Sequence, residues 1–215
     1  MIKARKILVS KNFPDLSEVS ATMVADTHFY EIGCVNWKNF QYKPQVKFAI
    51  AHNDNEIFVK YLVNETNIRA IYTKNNDSVC KDSCCEFFVS PNCNDCFYNF
   101  ETNCIGTLLL GYRKLGEKSV HANDEIMNKV RRLSTLGNQP FETKYGDFSW
   151  ELIVAIPIEA FFKHKLDSLQ GKTFTANFYK CGDDLPEPHY LSWKPVKTEK
   201  PSFHQPAFFG RINFV

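Results

Sequence analysis

The sequence has no apolar run long enough to cross a membrane as a helix, and its N-terminus offers no apolar core suited to a signal peptide. The opening stretch, MIKARKILVSKNFPDL, is charged throughout. As given, the chain is therefore expected to be cytoplasmic, or periplasmic or extracellular where an export signal has been removed. A strong charge of either sign is also missing: 26 Lys and Arg against 24 Asp and Glu leave a formal +2. With no dense basic run either, neither nucleic acid nor a membrane is an expected partner. Internal repeats and low-complexity linkers are absent. So are a G-x-S-x-G, a phosphate-binding loop and an H-E-x-x-H, which removes the usual marks of serine hydrolases, nucleotide hydrolases and zinc proteases.

What is present is aromatic. Phe, Trp and Tyr make up 14% of 215 residues, and 19 of them are Phe. Short β-branched and aromatic segments recur along the chain with turn residues between them. They are residues 29–35, 46–52, 56–63, 68–73, 83–89, 97–103, 107–112, 129–136, 148–156, 172–180, 190–193 and 208–215. That spacing predicts an all-β fold, a two-sheet antiparallel β-sandwich of immunoglobulin or jelly-roll type, filling residues 1–215 as a single monomeric domain. One short helix is expected, after Pro157. The segment before Leu16 reads as an edge strand and a loop, and 121–128 as a weaker helix or loop.

The hairpin from Asp82 to Asn103 stands out. In its second arm the two-residue strand period puts Tyr98, Phe100 and Thr102 on one face and Asn99, Glu101 and Asn103 on the other. Three polar side chains in succession on one face are either a solvated sheet surface or the floor of a site for a hydroxyl-rich ligand. Eight Cys are present, five of them between Cys80 and Cys96. Cys93 and Cys96 form a CxxC that could hold zinc or a disulfide, but no second pair at similar spacing accompanies it, so free, inert thiols are the expectation. No cofactor is assigned. Asp183 and Asp184 with Glu187 form a candidate calcium loop.

The C-terminal quarter carries Pro186, Pro188, Pro195, Pro201 and Pro206, which preclude a long regular element. A stiff loop there would present Trp193, Phe203 and His204. At this point the sequence resembles the family 9 carbohydrate-binding modules. Asp82-Ser83 with Glu86-Phe87-Phe88 is similar to the family's D-S-x-E-x-F, with Cys85 as one extra residue. Ser192-Trp193, then Ser202-Phe203-His204-Gln205-Pro206 and Phe209-Gly210, resemble its closing S-W … S-W-x-x-P … F-G. The phrases IAHNDNEIFVKYLVNE, NFYKCGD and PHYLSW resemble a stand-alone branch found in glycan-degrading bacteria.

The resemblance implies a β-sandwich from about Gly33 to Val215. It also implies a site in which two Trp rings sandwich a terminal sugar above a polar sheet face. On the matching positions, the sheet Glu is Glu86. The family's Arg and Asn on the next strand become Glu101 and Asn103. One stacking Trp becomes Phe203, and the other falls in Asn76–Lys81, where no aromatic stands. The reversal from Arg to Glu at 101 calls for a neighbouring cation, for which Arg69 is a candidate. Lys180 and His204 could join the group. Trp37 and Trp150 read as core, and Trp193 as either a cap over the end of the sandwich or a sugar platform.

The expected function is a non-catalytic carbohydrate-binding module, taking a sugar or other small polyhydroxylated ligand through Glu86, Asn99, Glu101, Asn103, Phe203, Trp193, His204, Arg69 and Lys180. The alternatives are a glycan-active hydrolase or lyase using Glu86 and Glu101, as in a xylanase-associated enzyme, or a protein-binding scaffold.

Overall fold

The computed structural model describes residues 1–91 and 95–215, so the turn bearing Cys93 lies outside the described residues. The first half of the chain forms β1 (Ile2–Lys6), α1 (Leu16–Asp26), β2 (Tyr30–Glu31), β3 (Cys34–Val35), β4 (Gln45–His52), β5 (Glu56–Ala70), β6 (Cys84–Ser90) and β7 (Cys96–Asn103). The second forms β8 (Leu108–Lys114), β9 (Val120–His121), α2 (Asp124–Met127), β10 (Arg131–Ser134), β11 (Phe141–Pro157), β12 (Thr173–Cys181), β13 (Tyr190–Ser192) and β14 (Gly210–Phe214).

The protein is mostly β, and its main strands follow one curled path in the order β10-β11-β5-β4-β1-β14-β12-β6-β7-β8-β9. The result is a half-barrel consistent with a β-sandwich. The joint is β1. Ile2–Ala4 pair in parallel with β14, and Arg5 and Lys6 pair in parallel with β4. Across the curl the two arms meet through aromatic rings: Phe48 of β4 stacks on Phe178 of β12 with ring centroids 3.7 Å apart. The apolar face expected on β11, Trp150, Leu152, Val154 and Ile156, lies in this inner core.

Two outer layers cover the curl. On one arm α1 sets Leu16, Val19 and Met23 against Ala49, Ala51, Phe58, Ile153 and Ala155. On the other arm the Pro-rich C-terminal segment sets Val196 and Phe203 against Cys84, Phe88, Phe97, Tyr179 and Cys181.

Helix α1 corrects the sequence reading, which had no helix there. Its signal was present: Asp15 caps the helix by accepting from Ser17 N at 2.7 Å, Glu18 follows in the first turn, and the buried residues recur at helical spacing. The helix expected after Pro157 is only a 3-10 turn, Ile158–Ala160. There Phe161 turns inward onto Tyr98 and Phe174 instead of continuing a helix. The segments read as 56–63 and 68–73 are one strand. Its Asn and Thr stay in the ladder because β11 absorbs the irregularity with register shifts between Phe141 and Lys144 and between Tyr145 and Phe148.

Candidate functional site

β6 and β7 are antiparallel neighbours, and their register sets Glu86 directly opposite Glu101. Both point to the outer face, away from Phe87 and Phe100, which pack inward. This polar face is not solvated. The Pro-rich segment roofs it and leaves Asn99, Glu101, Asn103 and Glu86 buried. What remains open is a cleft of about 150 Å3, lined by Glu86, Glu101, Asp183 and Tyr190 on the sheet side and by Phe203 and His204 from the roof, with Cys80 and Cys181 at its base.

The roof is pinned. Tyr179 Oη donates to Phe203 O at 3.1 Å, Trp37 Nε1 to Thr198 O at 3.0 Å, and Val196 N to Asn36 Oδ1 at 2.8 Å. Phe203 stacks on Tyr179 with centroids 4.1 Å apart, and Trp37 backs it at 6.0 Å.

Burial dominates the electrostatics. It pushes the Glu86 carboxyl well above the usual range, and the charge of Glu101 adds to the rise. Glu101 is raised to about 7, again chiefly by burial, against a hydrogen bond from Asn99 Nδ2 at 2.8 Å and the opposing charge of Arg113. Asp183 is raised to about 6 by burial and then by Asp184. Burial, then Arg113, lowers the His204 imidazole to about 4. His204 Nε2 stands 4.0 Å from Glu101 Oε1. Near neutral pH the cleft thus mixes protonated and ionised carboxyls beside a neutral imidazole, offering both donors and acceptors.

Of the nine residues named from the sequence, Glu86, Glu101, Phe203 and His204 line the cleft, and Asn99 supports it through Glu101. The other four do not reach it. Asn103 spends its amide on the fold: Nδ2 donates to Tyr72 O and Asp82 Oδ2, and Oδ1 accepts from Ile105 N and Thr107 N. Lys180 alternates with Tyr179 and Cys181 along β12, so it points inside the curl, where it pairs with Glu65 Oε2 at 2.8 Å. Arg69 sits between Asp82 and Asp184. Trp193 packs on Tyr30, Phe48 and Phe178 at the edge of the inner core.

The cation beside Glu101 is Arg113, which the sequence reading missed. Strand alternation could have found it, since β8 pairs Leu109 with Glu101, Gly111 with Asn99 and Arg113 with Phe97, all on the cleft side. The calcium reading of Asp183, Asp184 and Glu187 is not supported either. Asp184 is held by Arg69 and Lys81, whereas Asp183 faces the cleft. Larger depressions, of about 510, 580, 460 and 220 Å3, lie elsewhere on the described residues. None of them brings two buried carboxyls together, as Glu86 and Glu101 meet here, so chemistry rather than size marks the smaller cleft.

A sequence model described as carbohydrate-binding family 9 matches residues 17–214. The chain belongs to that family. It is 43% identical to a candidate carbohydrate-binding protein from Bacteroides uniformis ATCC 8492, whose crystal structure matches with a TM-score of 0.96 over 100% of this chain and 98% of that one. It also resembles two structures of a family 9 module from Caldicellulosiruptor kristjanssonii, each at 11% identity. The glucose complex gives a TM-score of 0.61 over 100% of this chain and 95% of that one; the cellotriose complex gives 0.52 over 99% and 92%. No curated protein matches the sequence. At 11% identity the likeness carries the fold alone, so family membership rests on the matched sequence and the site on its own geometry.

Proposed function

We propose that the protein is a non-catalytic carbohydrate-binding module of one domain, and that its ligand enters the cleft between the β6–β7 hairpin and the Pro-rich roof. The observation that carries this reading is the pair Glu86 and Glu101, opposed on the floor beneath Phe203 and His204. Sugar hydroxyls donate and accept at once, and a floor of partly protonated carboxyls can answer both roles. The part of the buried Phe203 ring that lines the cleft supplies the apolar contact that a pyranose C–H face needs. At about 150 Å3 the cleft is small beside the ~300–1,000 Å3 of drug-sized sites, which fits one terminal ring rather than a length of chain. The glucose and cellotriose held by the Caldicellulosiruptor modules are in keeping with such a ligand.

A hydrolytic role is less well served. Glycosidases place two carboxyls on either side of the scissile bond, whereas Glu86 and Glu101 lie side by side on one floor. Binding should be weak, with a Kd on the order of 10 µM to 1 mM, because a single ring at the cleft replaces a two-ring sandwich. Calorimetric titration with glucose, xylose and short β-glucans tests the proposal. Saturable binding that Glu101→Gln and Phe203→Ala each weaken tenfold or more is the expected result. Binding by neither variant nor parent to any glycan, or release of reducing sugar by the parent, would overturn it.

A further inference from the structure

The base of the cleft carries more than hydroxyl chemistry requires. Cys84 and Cys181 are directly opposed in the β6–β12 ladder. Strand alternation puts both on the same outer face as Glu86. The two Sγ atoms and a Glu86 carboxylate oxygen lie within 4.8 Å of one another, all from buried side chains. The Cys181 thiol donates to Glu86 Oε1 at 3.1 Å. These separations approach the edges of a tetrahedron with metal–sulfur bonds of about 2.3 Å and metal–oxygen bonds of about 2.0–2.2 Å. Both cysteines are free thiols.

Charge points the same way. Glu86, Glu101 and Asp183 share one cleft. Arg113 opposes Glu101, but Lys180, the cation felt at Glu86, is committed to Glu65 on the other side of the sheet. A buried carboxyl so placed either keeps a proton or takes a cation from outside.

We propose that Cys84, Cys181 and Glu86 form a binding site for a borderline-soft divalent cation, Zn2+ in class, with its fourth position open to the cleft. Two thiols and one carboxyl select zinc over calcium or magnesium, which prefer oxygen-only shells. Three protein ligands with an open position form the arrangement in which zinc keeps a water or an incoming oxygen ligand. On binding, each thiol and the protonated Glu86 carboxyl pass their protons to solvent, two S–Zn bonds and one O–Zn bond form, and the ion sheds the waters they replace, with no oxidation or reduction. Because two to three protons leave, affinity should rise about a hundredfold to a thousandfold for each unit of pH while these groups remain protonated in the free protein. The site stands whether or not the cleft holds sugar, and its test contains no glycan.

The test uses the full chain, reduced, stripped with a chelator and titrated with Co2+ and then Zn2+. The expected result is one Co2+ per chain with a thiolate-to-cobalt charge-transfer band, bleached by Zn2+, and a rise in Tm on adding Zn2+. Cys84→Ser and Cys181→Ser should each lose the band and at least tenfold in affinity. Glu86→Gln should keep the band with weaker affinity, and Cys34→Ser, away from the cluster, should match the parent. Should the Cys variants fail to fold, the parent alone decides: at constant pH each zinc bound must release at least two protons. Absence of a charge-transfer band, or a spectrum showing no thiolate bound, would overturn the proposal. So would a band that survives in the folded Cys84→Ser/Cys181→Ser double variant, which would put the metal outside this cluster.

Discussion

The sheet formed by β12, β6 and β7 has buried charge on both of its faces, and the two faces treat it differently. Inside the curl, Lys180 Nζ pairs with Glu65 at 2.8 Å, donates to Cys181 O at 3.0 Å and lies 2.8 Å from His189 Nε2. Trp150 Nε1 supplies Glu65 with a further hydrogen bond at 2.8 Å. Burial and the Lys180 charge keep His189 neutral, its pKa well below the usual value. Acid, base and neutral imidazole complete one another, so the depression of about 460 Å3 that touches Glu65 meets a carboxylate already paired. Outside the curl, Glu86, Glu101 and Asp183 outnumber the cations nearest them on that face, Arg113 and Lys81, and face open space. The inner cluster is closed and specifies how the two arms meet. The outer one is left short of partners, and a ligand can supply what is missing. Buried charge by itself therefore does not mark a site; incompleteness beside a cleft does.

The most severe way to break the contrast is to open the inner cluster. Lys180→Met would leave Glu65 buried without its cation, at a cost of about 3–5 kcal/mol. Urea denaturation should show the midpoint falling with little change in slope. Pairing it with Glu65→Leu should recover much of the loss, since two apolar residues replace a complete pair. If Lys180→Met were nearly silent, the inner cluster would not be a closed ionic unit.

A gentler change reaches the outer cluster through a glycine. Gly111 lies beside Asn99, and a Cβ there would come within 2.5 Å of Asn99 Oδ1. Gly111→Ala should push Asn99 off Glu101 and cost about 1–3 kcal/mol by crowding. With that hydrogen bond lost, the Glu101 pKa should climb, and an NMR titration of the Glu side-chain carboxyls would read the shift. An unchanged Glu101 titration would mean that Asn99 is not what holds its charged form.

How much of this was legible beforehand differs by level. The strands were readable because alternation and turn residues are local signals, and Glu86, Glu101, Phe203 and His204 followed from a motif resemblance. Burial of the polar face was not readable. The hairpin alone exposes Glu101; it is the distant Pro-rich segment that roofs it, so of the two readings the hairpin left open, the solvated sheet surface does not hold. Lys180 was misplaced for a related reason, whereas Trp193 took the packing alternative of its two readings. The side of β12 on which Lys180 lies depends on register with β6 and β13, and a one-residue change of parity exchanges core for cleft.

Glu101→Gln is expected to stabilise the protein in alkali, by on the order of 1–3 kcal/mol. The Glu101 pKa is about 7 in the fold against an ordinary 4.5. Between those values the native state holds the proton more tightly than the unfolded chain does. Its contribution is therefore fully present below about pH 4.5 and lost as pH rises through about 7. Melting curves from pH 5 to 8 should fall for the parent and fall less steeply for the variant, in which the raised Asp183 and Glu86 carboxyls still titrate. Parallel curves would show that Glu101 ionises normally.

His204 should give the smallest effect and the opposite slope. Its folded pKa of about 4 lies below the ordinary 6.5, through burial first and Arg113 second. Such a group contributes stability above about pH 6.5 and loses it as pH falls through about 4. Acidification from pH 7 to 5 thus strengthens the fold through Glu101 and weakens it slightly through His204. More than a third of the His204 side chain is exposed, so water screens the effect and its size should stay below about 1 kcal/mol. His204→Gln removes the opposing slope while a neutral side chain stays over the cleft. At pH 7 the variant should melt close to the parent, because the imidazole is neutral there. By pH 5 it should have gained more stability than the parent gains over the same interval. If both gain equally, the imidazole carries its proton as freely in the fold as in the unfolded chain, and the cleft is wetter than its geometry implies.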